Sequence, residues 1–159
     1  MKAQKILEFP RVTGTNLKRQ KYSLPNDFEG ELNLVLVAFL REQQLMVNTW
    51  LPTADLLEKI HPELRYYELP TISRLNLFAR WFINTGMRSG IKDPKSRQRT
   101  ITLYLDKKPF RKAMGIPDEE NIYIFLVDKQ GRIVWRSEGP CDVGKAELLS
   151  DFVGSFFKK

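Results

Sequence analysis

The sequence predicts an α/β fold, with a central mixed sheet flanked by helices and a closing C-terminal β-hairpin and helix. Three observations carry this expectation. Leu32–Leu40 and Ile122–Val127 are short, nearly continuous runs rich in branched aliphatic residues, the pattern of strands buried on both faces. Between and after them the apolar spacing changes to that of helices. Asp128-Lys129-Gln130-Gly131 then forms a tight turn from the second run into Arg132–Arg136, and a final amphipathic segment follows Gly139-Pro140.

Taken in order, residues 1–31 read as an N-terminal extension of turns and short extended pieces. Thr13-Gly14-Thr15-Asn16 and Pro25-Asn26-Asp27 are turn clusters, with a short strand at Lys21–Leu24 between them. After the buried strand at 32–40, Leu45, Trp50, Leu51, Ala54, Leu57 and Ile60 share a helical face. Pro52 breaks or kinks that helix, or opens a second segment, and Pro62 closes it. Leu64–Leu69 is a strand ended by Pro70, and Leu75–Met87 a helix. Thr100–Leu105 is a strand, and Pro109–Met114 a short helix stopped by Gly115. After the hairpin, Asp142 caps a helix through Phe157, with Ala146, Leu149, Phe152, Val153 and Phe156 turned inward. The order is β–β–α–β–α–β–α–β–β–α. A chain of 159 residues suits one domain, expected to span residues 1–159.

Composition excludes several classes. One cysteine, Cys141, removes a disulfide scaffold, an internal dithiol couple and a cysteine-rich zinc site. One histidine, His61, removes multi-histidine metal sites. No Walker, Rossmann or zinc spacing occurs, so no cofactor and no metal are expected. No run approaches the roughly 20 apolar residues of a membrane helix, and Met1–Pro10 has no secretory signal pattern. The expected location is the cytoplasm or the inner face of a membrane, or the mitochondrion for a trimmed eukaryotic chain. The net charge of +7 is local. Residues 71–112 hold eleven basic residues against two acids, a local +9 that leaves −2 for the rest.

The closing strand–turn–strand–helix order resembles the second half of a thioredoxin-like domain, and the buried strand followed by a helix resembles the first. Counting on from Phe39 places that superfamily's Cys-x-x-Cys pair near Gln44 and Val47, and neither is Cys. Its proline before the later strand is Asn121 here. Gly30–Trp50 with its Arg-Glu-Gln-Gln loop, Tyr67–Pro70, Phe82–Arg88 with Gly86-Met87, Asp93–Thr100 and Leu126–Gly139 with Trp135-Arg136 resemble a more specific group. They are similar to the mitochondrial ATP synthase assembly proteins known as ATPase complex subunit ten, and to their prokaryotic relatives. The resemblance implies a thioredoxin-like fold without dithiol chemistry, and a chaperone-like assembly role rather than an enzyme.

Candidate sites follow from loops and charge. Arg41, Glu42, Gln43 and Gln44 leave a buried strand and open a helix, where free N–H groups favour a carboxylate or a peptide segment. Arg80, Asp93, Arg97 and Arg99 are further binding candidates within the basic segment. Segment 71–112 suits an anionic surface, lipid or phosphate; nucleic acid is less favoured, because no aromatics interleave Lys92–Arg99. Cys141 is a candidate reactive thiol, weighed against an inert one. His61 is read as a helix-end residue, and Trp50, Trp81 and Trp135 as core. The leading expectation is a redox-inactive binding or assembly protein for a protein partner associated with a membrane, such as ATP synthase. The alternatives are an enzyme acting on an anionic substrate, centred on Arg41, Glu42 and Arg97, and a nucleic-acid-binding domain.

Overall fold

The computed structural model describes residues 7–73 and 98–158. The expected helix at Leu75–Met87, Trp81, and the candidates Arg80, Asp93 and Arg97 lie outside them. Seven strands form one sheet: β1 (Val12–Asn16), β2 (Lys21–Leu24), β3 (Leu32–Ala38), β4 (Leu64–Ser73), β5 (Ile101–Leu105), β6 (Tyr123–Asp128) and β7 (Ile133–Glu138). A 3-10 turn (Arg41–Gln43) leads to α1 (Gln44–Asn48) and α2 (Leu51–Ile60); α3 (Lys107–Met114) and α4 (Val143–Phe157) follow later.

The strand order is β2-β1-β5-β4-β3-β6-β7. β3 pairs parallel to β4 and antiparallel to β6, and β4 pairs parallel to β5, so the sheet is mixed as expected. β3 runs through the middle with its first six residues buried, which explains its lack of polar alternation. Successive side chains go to opposite faces. Leu32, Leu34 and Leu36 pack with Val47, Trp50, Ala54 and Leu57 of the α1–α2 layer and with Leu149 and Val153 of α4. Val35 and Val37 pack with Phe110 and Met114 of α3 and with Phe9 and Phe28. Each fully buried side chain of this size contributes about 1.5–3 kcal/mol, so β3 anchors both layers.

Local signals explain most boundaries. Pro52 opens α2 within its first turn, where its missing N–H would have no helical partner. Asp142 accepts the Lys145 N–H at 2.8 Å and caps α4. Gly115 ends α3 at φ +68°, a left-handed conformation that glycine adopts without a Cβ penalty. The Asp128 carboxylate accepts the N–H groups of Gln130 and Arg132 and so shapes the last hairpin.

Two local readings are corrected. Thr13-Gly14-Thr15-Asn16 is strand, not turn: it lies between β2 and β5, paired with both. Turn-type residues are held extended there by two neighbouring strands, and Gly14 fits because Ile101 and Leu103 leave no room for a Cβ. Pro70 does not end β4, which continues to Ser73. The β5 ladder is bridged at Glu68–Thr100 and resumes at Thr71–Leu103, so Pro70 falls in its interruption and its missing N–H is tolerated. The helix expected from Pro109 begins at Lys107.

Candidate functional site

Where β3 ends, Phe39 and Leu40 lead into the Arg41–Gln43 turn. Gln43 is 2% exposed and fixes this corner. Its Oε1 accepts the N–H groups of Phe39 (2.8 Å) and Leu40 (3.1 Å), and its Nε2 donates to the Glu119 carbonyl at 2.8 Å. One amide therefore joins the turn after β3 to the loop before β6. In a thioredoxin-like layout the first of these carries the dithiol and the second the proline. Here the first carries a buried amide, and in the second Asn121 Oδ1 accepts the N–H of Ile122 at 3.0 Å.

Charge surrounds the second loop. Glu119 pairs with Lys107 (2.6 Å) and Arg111 (3.2 Å) of α3, and Arg111 also donates to the Pro117 carbonyl. The Tyr123 hydroxyl donates to Asp118 at 2.8 Å. Burial first, then that bond and the charge of Asp118, push the Tyr123 phenol up to about 12.

Gln44 extends the corner toward β4. Its Nε2 donates to Glu68 Oε1 and to Asn48 Oδ1, both at 2.9 Å. Glu68 is 6% exposed. Burial raises its carboxyl above the ordinary range, and the Gln44 bond only partly opposes this. Arg41 and Glu42 are exposed on the turn. Arg99 lies beside β4, paired with Glu58 of α2 and 4.6 Å above the Tyr66 ring. Burial lowers its pKa, with Asp55 and Glu29 acting in the opposite direction. The Tyr66 N–H in turn donates to Glu58, so Arg99 helps tie α2 to the sheet.

Cys141 sits before α4, against the α1–α2 junction. Its N–H donates to Thr49 Oγ1 at 2.8 Å, and next to it Trp50, fully buried, donates its indole N–H to the Gly139 carbonyl. Burial, with Asp142 adding to it, pushes the Cys141 thiol up, while a bond with Thr53 and the charge of Lys145 pull it down. His61 caps the C-terminus of α2 and stacks on Phe157 with ring centres 5.1 Å apart. Trp135 is half-buried against the α1–α2–α4 layer.

The structure thus brings Gln43 and Gln44 together with three residues not singled out from the sequence: Glu68, Asn48 and Glu119. The available signal was a carboxylate inside an apolar strand, at Glu68. Glu119 acts through its backbone carbonyl, which side-chain chemistry cannot announce.

A family model, that of the ATP10 protein, matches residues 1–155. The chain belongs to the ATP10 protein family. None of the curated proteins matches it. Among solved structures, this ATP10-family chain is similar to BsSco, a member of the Sco family of cytochrome c oxidase assembly proteins. The TM-score is 0.65 and the identity 15%, over 98% of this chain and 96% of that one. It is also similar to yeast Sco1 with copper bound, with a TM-score of 0.59 and 11% identity over 98% of each chain. A thiol:disulfide interchange protein from Bacteroides sp. gives a TM-score of 0.58 and 22% identity, over 100% of this chain and 93% of that one. These likenesses show the fold, which is thioredoxin-like. Among the described residues no group of three His, Cys, Asp or Glu side chains could hold a metal ion, and no helix is long and apolar enough to cross a membrane.

Proposed function

We propose that this ATP10-family chain is a redox-inactive assembly factor, which holds a protein partner against the face built by the Phe39–Gln44 turn and the Pro117–Asn121 loop. The single observation that carries the reading is Gln43. It stands in the turn that bears the dithiol in redox members of the fold, and it is buried and bonded to both loops. A staple of this kind keeps a surface in one shape and supplies no electrons. The assembly role is supported by the family and by the description of BsSco as belonging to a family of assembly proteins. The membrane complex implied by the family resemblance is ATP synthase. The test is co-purification of the tagged full chain from native membranes and cytosol, beside an insulin-reduction assay. ATP synthase subunits should be recovered with wild type and reduced in yield with Gln43→Ala. Disulfide reductase activity above that of free thiol would sink the redox-inactive reading.

A further inference from the structure

We propose that Glu68, Gln44 and Asn48 form a receptor for an alkylammonium group, the head of a lysine side chain from a polypeptide partner. The inference deepens the proposed binding face and rests on it.

The first observation is an imbalance of charge. Glu68 lies on a central strand and is more than nine-tenths buried, yet among the described residues it receives one hydrogen bond, from the neutral amide of Gln44. It forms no ion pair among the described residues. Buried carboxylates are ordinarily paired, because an uncompensated charge in a low-dielectric interior is costly. An unpaired buried carboxyl beside the binding loops is the group that an incoming cation would compensate.

The second observation is the direction of the hydrogen bonds. Gln44 Nε2 has two protons, and both are engaged, by Glu68 Oε1 and Asn48 Oδ1. Those two acceptors fix the amide orientation and leave Gln44 Oε1 as an acceptor that no described residue fills. Glu68 Oε2 likewise takes no hydrogen bond from a described residue, and it is not among the sealed, unpartnered atoms, which include Thr102 Oγ1 and Arg111 Nε. Beside Glu68 the two unfilled groups, Glu68 Oε2 and Gln44 Oε1, are both acceptors.

The third consideration is which cation fits. A guanidinium prefers both oxygens of a carboxylate at once, in one plane, and the Gln44 amide 2.9 Å from Oε1 occupies one of that oxygen's two acceptor sites and narrows the approach. A compact ammonium needs one oxygen and can share its remaining protons with an amide carbonyl. The neighbouring turn and α1 carry exposed apolar side chains that could cover a lysine stem: Leu40 is 44% and Leu45 77% exposed.

The test uses the full chain with n-butylammonium as the lysine mimic, and follows the Glu68 carboxyl carbon by NMR. At saturation the Glu68 titration midpoint should fall by about one unit or more, because an opposite charge at contact favours the carboxylate. Tetramethylammonium, which has no N–H, should leave it unmoved, and methylguanidinium should act more weakly. Glu68→Gln should abolish the shift perturbations that butylammonium causes at Gln44 and Asn48. Equal responses of Glu68 and the exposed Glu42, or equal responses to the two ammonium ions, would overturn the receptor; that comparison uses wild type alone and stands if the variant does not fold. Partner capture that depends on Gln43, with no butylammonium response, would remove the ammonium site and leave the binding face. A specific response without any partner would support the receptor while the assembly reading fails.

Discussion

Replacing Gln43 by Met keeps the length and bulk of the side chain and removes its polarity. Three backbone groups then lose a partner: the Phe39 and Leu40 N–H groups and the Glu119 carbonyl. Phe39 is 7% exposed, so its N–H would be orphaned and costs about 1–3 kcal/mol. Leu40 is 44% exposed, and its N–H can turn to water at little cost. The lost bond to Glu119 adds about 1 kcal/mol. The expected destabilisation is about 3 kcal/mol, or roughly 6–12 °C in Tm for a chain of this length. Urea unfolding followed by far-UV circular dichroism measures it. Gln43→Glu sharpens the test. It keeps the acceptor for Phe39 and Leu40 but sets a second oxygen against the Glu119 carbonyl, so only the protonated acid can donate there. The folded-state carboxyl of that variant is therefore raised, and its stability relative to wild type should be near full in acid and fall as pH rises through that value. A Gln43→Met variant within about 0.5 kcal/mol of wild type, or a Gln43→Glu variant whose difference from wild type ignores pH, would refute the staple.

Four further outcomes are expected. Glu68 has a raised carboxyl in the folded chain, so its favourable contribution is complete below the ordinary carboxyl range and lost as pH rises through the raised value. Glu68→Gln should thus match wild type in unfolding free energy below the ordinary carboxyl range and exceed it near pH 8; a difference that is the same at both would contradict this. Gly14→Ala would place a Cβ 2.6 Å from Ile101 Cγ2 and 2.9 Å from the Thr102 carbonyl, and should cost about 1–3 kcal/mol by thermal unfolding. Glu58→Leu removes the counter-charge of Arg99 and the acceptor of the Tyr66 N–H, with an expected loss of about 2–3 kcal/mol that Glu58→Leu/Arg99→Met partly restores in a double-mutant cycle. Cys141, whose thiol is pushed up by burial, should be alkylated by iodoacetamide more slowly than glutathione at neutral pH, and a faster reaction would favour the reactive-thiol reading.

The sequence by itself determined the parts governed by local rules. The uninterrupted apolar runs of β3 and β6 announced strands covered on both sides, because neither face of such a strand can meet water. Asp142 and Gly115 marked helix ends through groups that lie within one turn of each other. A single cysteine excluded an internal dithiol by count alone. Other features needed tertiary structure. Val12–Asn16 has turn-like composition and becomes strand because β2 and β5 hold it from either side, a contact of long sequence separation. The candidate turn was legible as Arg41–Gln44, but its chemistry was not. Gln43 and Glu119 are 76 residues apart, as Gln44 and Glu68 are 24 apart. Only the packing of β3 between β4 and β6 brings those groups within hydrogen-bond reach, so only the fold could show which amide is a staple and which carboxylate is left without a counter-charge among the described residues.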